Sequence, residues 1–146
     1  MNERFGILHL SDIHASEKSK ATIQRLVGLL KTDIQTMQER HNVSIKMICI
    51  SGDLINSGDD ADAQLVIILE ELLQPLMDLL NLDEKNIFVV AGNHEIKRKM
   101  VVPFIEAGLS STLVSESAID EFISTVNTDS LKRIEYFDPT FADMFG

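Results

Sequence analysis

Phe5-Gly6-Ile7-Leu8-His9-Leu10 runs directly into Ser11-Asp12-Ile13-His14, and the same pattern recurs twice more. Met47-Ile48-Cys49-Ile50 leads into Ser51-Gly52-Asp53, and Ile87-Phe88-Val89-Val90-Ala91 leads into Gly92-Asn93-His94-Glu95. Each run is short, apolar and closed by turn residues, which reads as a buried strand. Helical patterns separate the three, so the chain is α/β with βαβ units and a mostly parallel sheet. In such a sheet, ligands bind in the crevice beyond the carboxyl ends of the strands. Three strand ends therefore deliver Asp12, His14, Asp53, Asn93 and His94 to one edge. Their donors are carboxylate oxygen, amide oxygen and imidazole nitrogen, with no thiolate among them, which suits hard or borderline divalent metals.

Between the first two strands, Ile23, Leu26, Val27, Leu30, Ile34 and Met37 recur at helical spacing, predicting a helix from Lys20 to Arg40. That stripe reads as sheet-packing core, with Lys31, Asp33 and Gln38 facing out. His41, at the helix end, suits the macrodipole and has a surface role. A second helix is expected after Gly58-Asp59-Asp60 and on to Leu82, kinked or divided by Pro75. Val66, Ile67, Ile68, Leu69, Leu72, Leu73, Leu76, Leu79 and Leu80 make its apolar face broad, as burial on more than one side requires. A third helix, Val102 to Ala107, is expected to stop at Gly108. A fourth opens at Ser117 with Asp120 as its capping-box partner, and buries Ile119, Phe122, Ile123 and Val126. His9, inside the first strand, reads as a hydrogen-bonded core histidine.

The totals bound the remaining classes. A length of 146 residues fits one domain able to bury a core. Thirteen basic residues against 23 acidic ones give a formal charge of −10, which argues against a broad electrostatic footprint for nucleic acid. A nucleic-acid substrate is still allowed, because bound cations reverse the field locally. The single cysteine, Cys49, excludes an internal disulfide framework and reads as a small apolar side chain in a buried strand. The first strand begins within a few residues of Met1, and the apolar run Val66–Leu73 is short and interrupted by Glu70 and Glu71. The expectation is a cytoplasmic protein that does not engage a membrane.

A hydrolytic site with two metals holds its cations about 3.5–4 Å apart with anionic oxygens, and adds neutral donors so that bound water can still ionise. Asp12 and His14, two residues apart on one loop, can both reach one cation. Asp53, from the neighbouring strand, is placed to bridge two. Asn93 offers a neutral carbonyl oxygen, and His94 lies beside it within reach of a substrate oxygen. Taken singly, Gly-Asp and Gly-Asn are ordinary turn dipeptides, and an aspartate after a strand often caps a helix. The joint recurrence at three strand ends is what points to a site.

Leu10-Ser11-Asp12-Ile13-His14, Ile50-Ser51-Gly52-Asp53-Leu54-Ile55-Asn56 and Val90-Ala91-Gly92-Asn93-His94-Glu95 resemble the first three motifs of the calcineurin-like metallophosphoesterases. The resemblance covers residues 5 to 100, in order. It implies a two-metal hydrolase of phosphate mono- or diesters: Asp12 and His14 on the first metal, Asp53 bridging both, and Asn93 on the second. His94 is then the catalytic residue, stabilising the transition state or protonating the leaving oxygen. By the same resemblance a metal-activated hydroxide attacks phosphorus in line, and Glu95 orients the ligands. Manganese is the first cation expected, with iron, zinc and others compatible. The substrate is a phosphate ester, with nucleotides and nucleic acid included.

The resemblance also implies an α/β/β/α sandwich and later histidine ligands in a Gly-His-x-His segment. The four histidines here are at positions 9, 14, 41 and 94, so none follows His94. Asn56 stands where many relatives carry aspartate. Tyr136, Phe137, Phe141 and Phe145 crowd the last eleven residues. The expectation is thus the N-terminal part of a single metallophosphoesterase domain, 1–146, without its C-terminal half. Activity is then expected of a longer parent and not of this fragment alone. The alternative is a non-catalytic binding or regulatory module that keeps the front half of the fold. Lys97-Arg98-Lys99, the one dense basic run, reads as a solvated turn rather than an anion contact.

Overall fold

The computed structural model describes residues 4–101 and 103–124. Three strands, β1 (Arg4–Leu10), β2 (Val43–Ser51) and β3 (Ile87–Val90), form a parallel sheet in the order β1-β2-β3. The crossovers are α1 (Lys20–His41), and α2 (Ala61–Ile68) continuing into α3 (Gln74–Leu80). Beyond β3 lie α4 (Pro103–Thr112) and α5 (Glu116–Ser124). Because the chain steps the same way across the sheet twice, right-handed crossovers bring both connections to one face.

That face carries the core. Cross-strand partners in a parallel ladder share a face, so Leu8 with Ile48, Leu10 with Ile50, and Ile48 with Ile87 all turn towards the helices. They meet Ile23, Val27 and Ile34 of α1, and Leu65, Ile68, Leu73 and Leu76 of the second crossover, in one cluster. The opposite face holds Phe5, Ile7, His9, Cys49, Phe88 and Val90. Phe5 there is 77% exposed and Val90 67%. Two sequence expectations fail on this face. His9 is hydrogen-bonded, its Nε2 lying 2.8 Å from Ser51 Oγ, but it is exposed rather than in the core. Cys49 is only partly buried. Period-two alternation assigns residues to faces without saying whether each face is covered.

α1 closes on Asn42 and α3 on Asn81, both in the left-handed conformation that ends helices when asparagine or glycine follows. Leu26 and Met37 fall on the margin of the α1 stripe and are about half exposed, so the buried stripe is narrower than its sequence pattern. The second crossover is divided just ahead of Pro75, which stands in the first turn of α3. A π-helical segment, Leu69–Leu73, joins α2 to α3, and the Gln74 N–H reaches back to the Leu69 carbonyl, five residues away. The wider turn makes room for the proline ring and removes the demand for the N–H it lacks. Lys20 and Gln24 of α1 both contact the Glu71 carboxylate on this segment, at 3.1 and 2.8 Å. The Gln24 hydrogen bond and the Lys20 ammonium hold the Glu71 carboxyl below its ordinary range, and Glu71 raises Lys20 in turn.

Gly108 does not end α4, which starts on Pro103 and runs four residues past it. Its carbonyl accepts from both Ser111 Oγ and Thr112 Oγ1. α5 begins at Glu116, not Ser117, because Ser115 Oγ caps it by accepting from the Ala118 N–H. Val102, Val126 and the aromatic ending lie outside the described residues. No helix among the described residues is long and apolar enough to cross a membrane.

Leu73, on the π-helical segment, is completely buried in the core cluster. Leu73→Ala is expected to destabilise the protein by about 2–5 kcal/mol, read from the urea midpoint. A loss below about 1 kcal/mol would mean that the core collapses onto the cavity.

Candidate metal centre

The ladder between β1 and β2 does not stop where the strands do. Asp12 N–H donates to the Gly52 carbonyl (3.3 Å), His14 N–H to that of Asp53 (3.0 Å), and Ala15 N–H to that of Leu54 (2.8 Å). An isolated parallel bridge pairs Ala15 with Ile55. Four residues at these ends take positive φ: Asp12 (56°), His14 (48°), Asp53 (54°) and Gly52 (86°). Left-handed backbone at a non-glycine residue costs on the order of 1 kcal/mol and tends to concentrate at functional sites. Here it turns successive side chains towards one point while the ladder keeps the two loops in register.

The third loop is locked to the second by Glu95. Its carboxylate is fully buried and accepts from the N–H groups of Asp53 (2.9 Å), Ile55 (3.1 Å) and Gly92 (2.6 Å). Asp53 Oδ1 accepts in return from the His94 N–H at 3.0 Å. The two loops approach so closely that a Cβ on Gly52 would meet the Gly92 backbone at 2.7 Å, and one on Gly92 would meet the Asp53 carboxylate and amide. Both glycines are required by that approach.

Among the described residues, His14, Asp53 and His94 bring ligand atoms within 4.8 Å of one another. The two imidazoles meet edge to face, with centroids 4.5 Å apart. Asp12 stays exposed at the rim, its Oδ1 4.0 Å from His14 Nε2. Asn93 is exposed on the third turn, between Gly92 and His94. His14 Nδ1 is buried without a hydrogen-bond partner. An orphaned ring nitrogen beside a carboxylate and a second imidazole fits a divalent cation, which would satisfy it. The residues singled out in the sequence thus include all three members of the cluster, with His94 grouped as a potential ligand as well as a substrate contact.

His94 Nδ1 lies 2.9 Å from the carbonyl of Asn56, so the side chain at position 56 is not its partner. A main-chain acceptor leaves no mark in a sequence. Gln64, whose Oε1 accepts from the Asn56 N–H at 2.7 Å, belongs to no motif, and its one mark in the sequence is that of a lone amide in the apolar stretch Ala61–Ile68. Arg98 and Lys99 sit on an exposed turn, where the Lys99 N–H approaches Asp59 Oδ1 at 3.4 Å.

A family model described as calcineurin-like phosphoesterase matches residues 5–140. Neither the curated proteins nor the solved structures compared with the chain include a match. The parallel sheet and its ligand-bearing strand ends are consistent with that family's fold.

Proposed function

The chain belongs to the calcineurin-like phosphoesterase family, and from that premise we propose that the full-length protein hydrolyses a phosphate ester with two divalent cations. One observation carries this reading: His14, Asp53 and His94, from three strand ends, converge within 4.8 Å. Asp12 and His14 would hold one cation, Asn93 the other, and Asp53 both. Bound there, the cations supply Lewis-acid stabilisation of phosphoryl charge and acidify water. The protein's own groups position and transfer protons. Asp53 Oδ1 holds the His94 backbone, and the Asn56 carbonyl engages Nδ1, so Nε2 is the ring atom left to face a substrate oxygen. Protonated, Nε2–H can pass its proton to the leaving alkoxide as the P–O bond breaks.

The acidic surface favours a small or single-stranded phosphodiester, such as a nucleotide, over long duplex nucleic acid. Manganese is the cation to try first, with iron and zinc suited to the same donors. The lone cysteine supports a cytoplasmic setting. The test, on the full-length protein, is release of nitrophenolate from bis(p-nitrophenyl) phosphate and p-nitrophenyl phosphate with added Mn²⁺, reversed by EDTA. Metal-dependent release, faster from the diester, is expected. Bound cation with no release from either ester would replace this reading with that of a non-catalytic binding module.

A further inference from the structure

We infer that Gln64 is a positioning residue for His94, setting which ring nitrogen faces the cluster. The inference rests on the phosphoesterase reading for its purpose, but not for its evidence. Gln64 lies on α2, 8% exposed, and no ligand motif includes it. Its Oε1 accepts from the N–H groups of Asn56 (2.7 Å) and Ser57 (3.2 Å), while Nε2 donates to the carbonyls of Ser57 (3.2 Å) and Asp60 (3.0 Å). Both lone pairs and both amide hydrogens are therefore used, all on one turn of backbone. Such complete satisfaction locks that turn against α2.

The locked turn presents the Asn56 carbonyl to His94 Nδ1 at 2.9 Å. A carbonyl oxygen only accepts, so Nδ1 carries the hydrogen and the neutral ring keeps its lone pair on Nε2. That is the atom needed at the cluster, either to bind a cation or to meet a substrate oxygen. The side chain that decides this lies two links away: Gln64 holds the Asn56 peptide, and the Asn56 peptide holds the ring. A purely structural glutamine would stabilise the turn without affecting the tautomer.

The test is long-range ¹H–¹⁵N correlation on ¹⁵N-histidine-labelled protein, without metal or substrate, well above the imidazole titration range. Wild type is expected to show His94 as a single Nδ1–H tautomer. Gln64→Met, similar in volume and flexible, should give a mixture in which Nε2–H is the larger part, with far-UV dichroism unchanged. Gln64→Glu, which keeps the acceptor for the two amides, should restore Nδ1–H. If Gln64→Met does not fold, Gln64→Asn withdraws the same amide by one methylene and should also populate Nε2–H. A folded Gln64→Met or Gln64→Asn variant that keeps the wild-type tautomer would overturn the inference. Failure of the phosphoesterase reading would appear separately, as absent hydrolysis with the tautomer result intact.

Discussion

Asp53→Asn is expected to weaken Mn²⁺ binding by about 100-fold or more, while leaving the fold in place. Losing a group that merely orients a ligand costs about 10–100-fold in metal affinity, so losing a charged ligand should cost at least the upper end of that range. Asp53 is the one carboxylate in the cluster with His14 and His94. Asparagine keeps an oxygen able to accept from the His94 N–H, the role Oδ1 has now. It also tolerates the left-handed backbone at this position, where φ is 54°. The substitution therefore removes charge with little change of shape. Calorimetric titration of both proteins, with thermal unfolding as the control, decides the matter. Equal affinity in the two would remove Asp53 from the ligand set and the bridging role with it.

The residues of this centre were legible in the sequence because each follows an apolar run, and a strand must end somewhere. The apolar periodicity placed α1 at Lys20 to Arg40, within one residue of its observed Lys20–His41. What stayed illegible has two physical sources. One is local competition. Pro75 forbids an ordinary hydrogen bond, but the backbone can widen into a π turn, and Gly108 can stop a helix or be carried through it. The other is that the site is held by main-chain atoms. The Glu95 contacts run to three backbone amides and the His94 ring contact to a backbone carbonyl, none of which depends on a side-chain identity. Phe5, Ile7, Phe88 and Val90 mark a strand face clearly, yet their pattern is the same whether that face is covered or open.

Those main-chain contacts make Glu95 the residue on which the geometry turns, and Glu95→Gln should cost about 2–4 kcal/mol of stability. Two of the three amides, Asp53 and Gly92, share Oε2, while Ile55 uses Oε1. A glutamine would keep its carbonyl towards the shared pair. Its NH₂ would then face the Ile55 N–H, donor against donor, in a fully buried position. An unsatisfied buried donor costs about 1–3 kcal/mol, and exchanging a charged acceptor for a neutral one weakens the remaining two bonds. Repacking does not escape this, because the Gly52 and Gly92 backbones approach too closely to admit even one added Cβ. The damage should reach the metal centre too. Asp53 and His94 take their relative position from this junction, so Mn²⁺ affinity should fall by about 10–100-fold even though no ligand has changed. Urea denaturation and Mn²⁺ calorimetry on the same variant test both halves. Lost stability with unaltered affinity would show that the β1–β2 ladder holds Asp53, and the contacts of His94 with Asp53 and Asn56 hold His94, without help from Glu95.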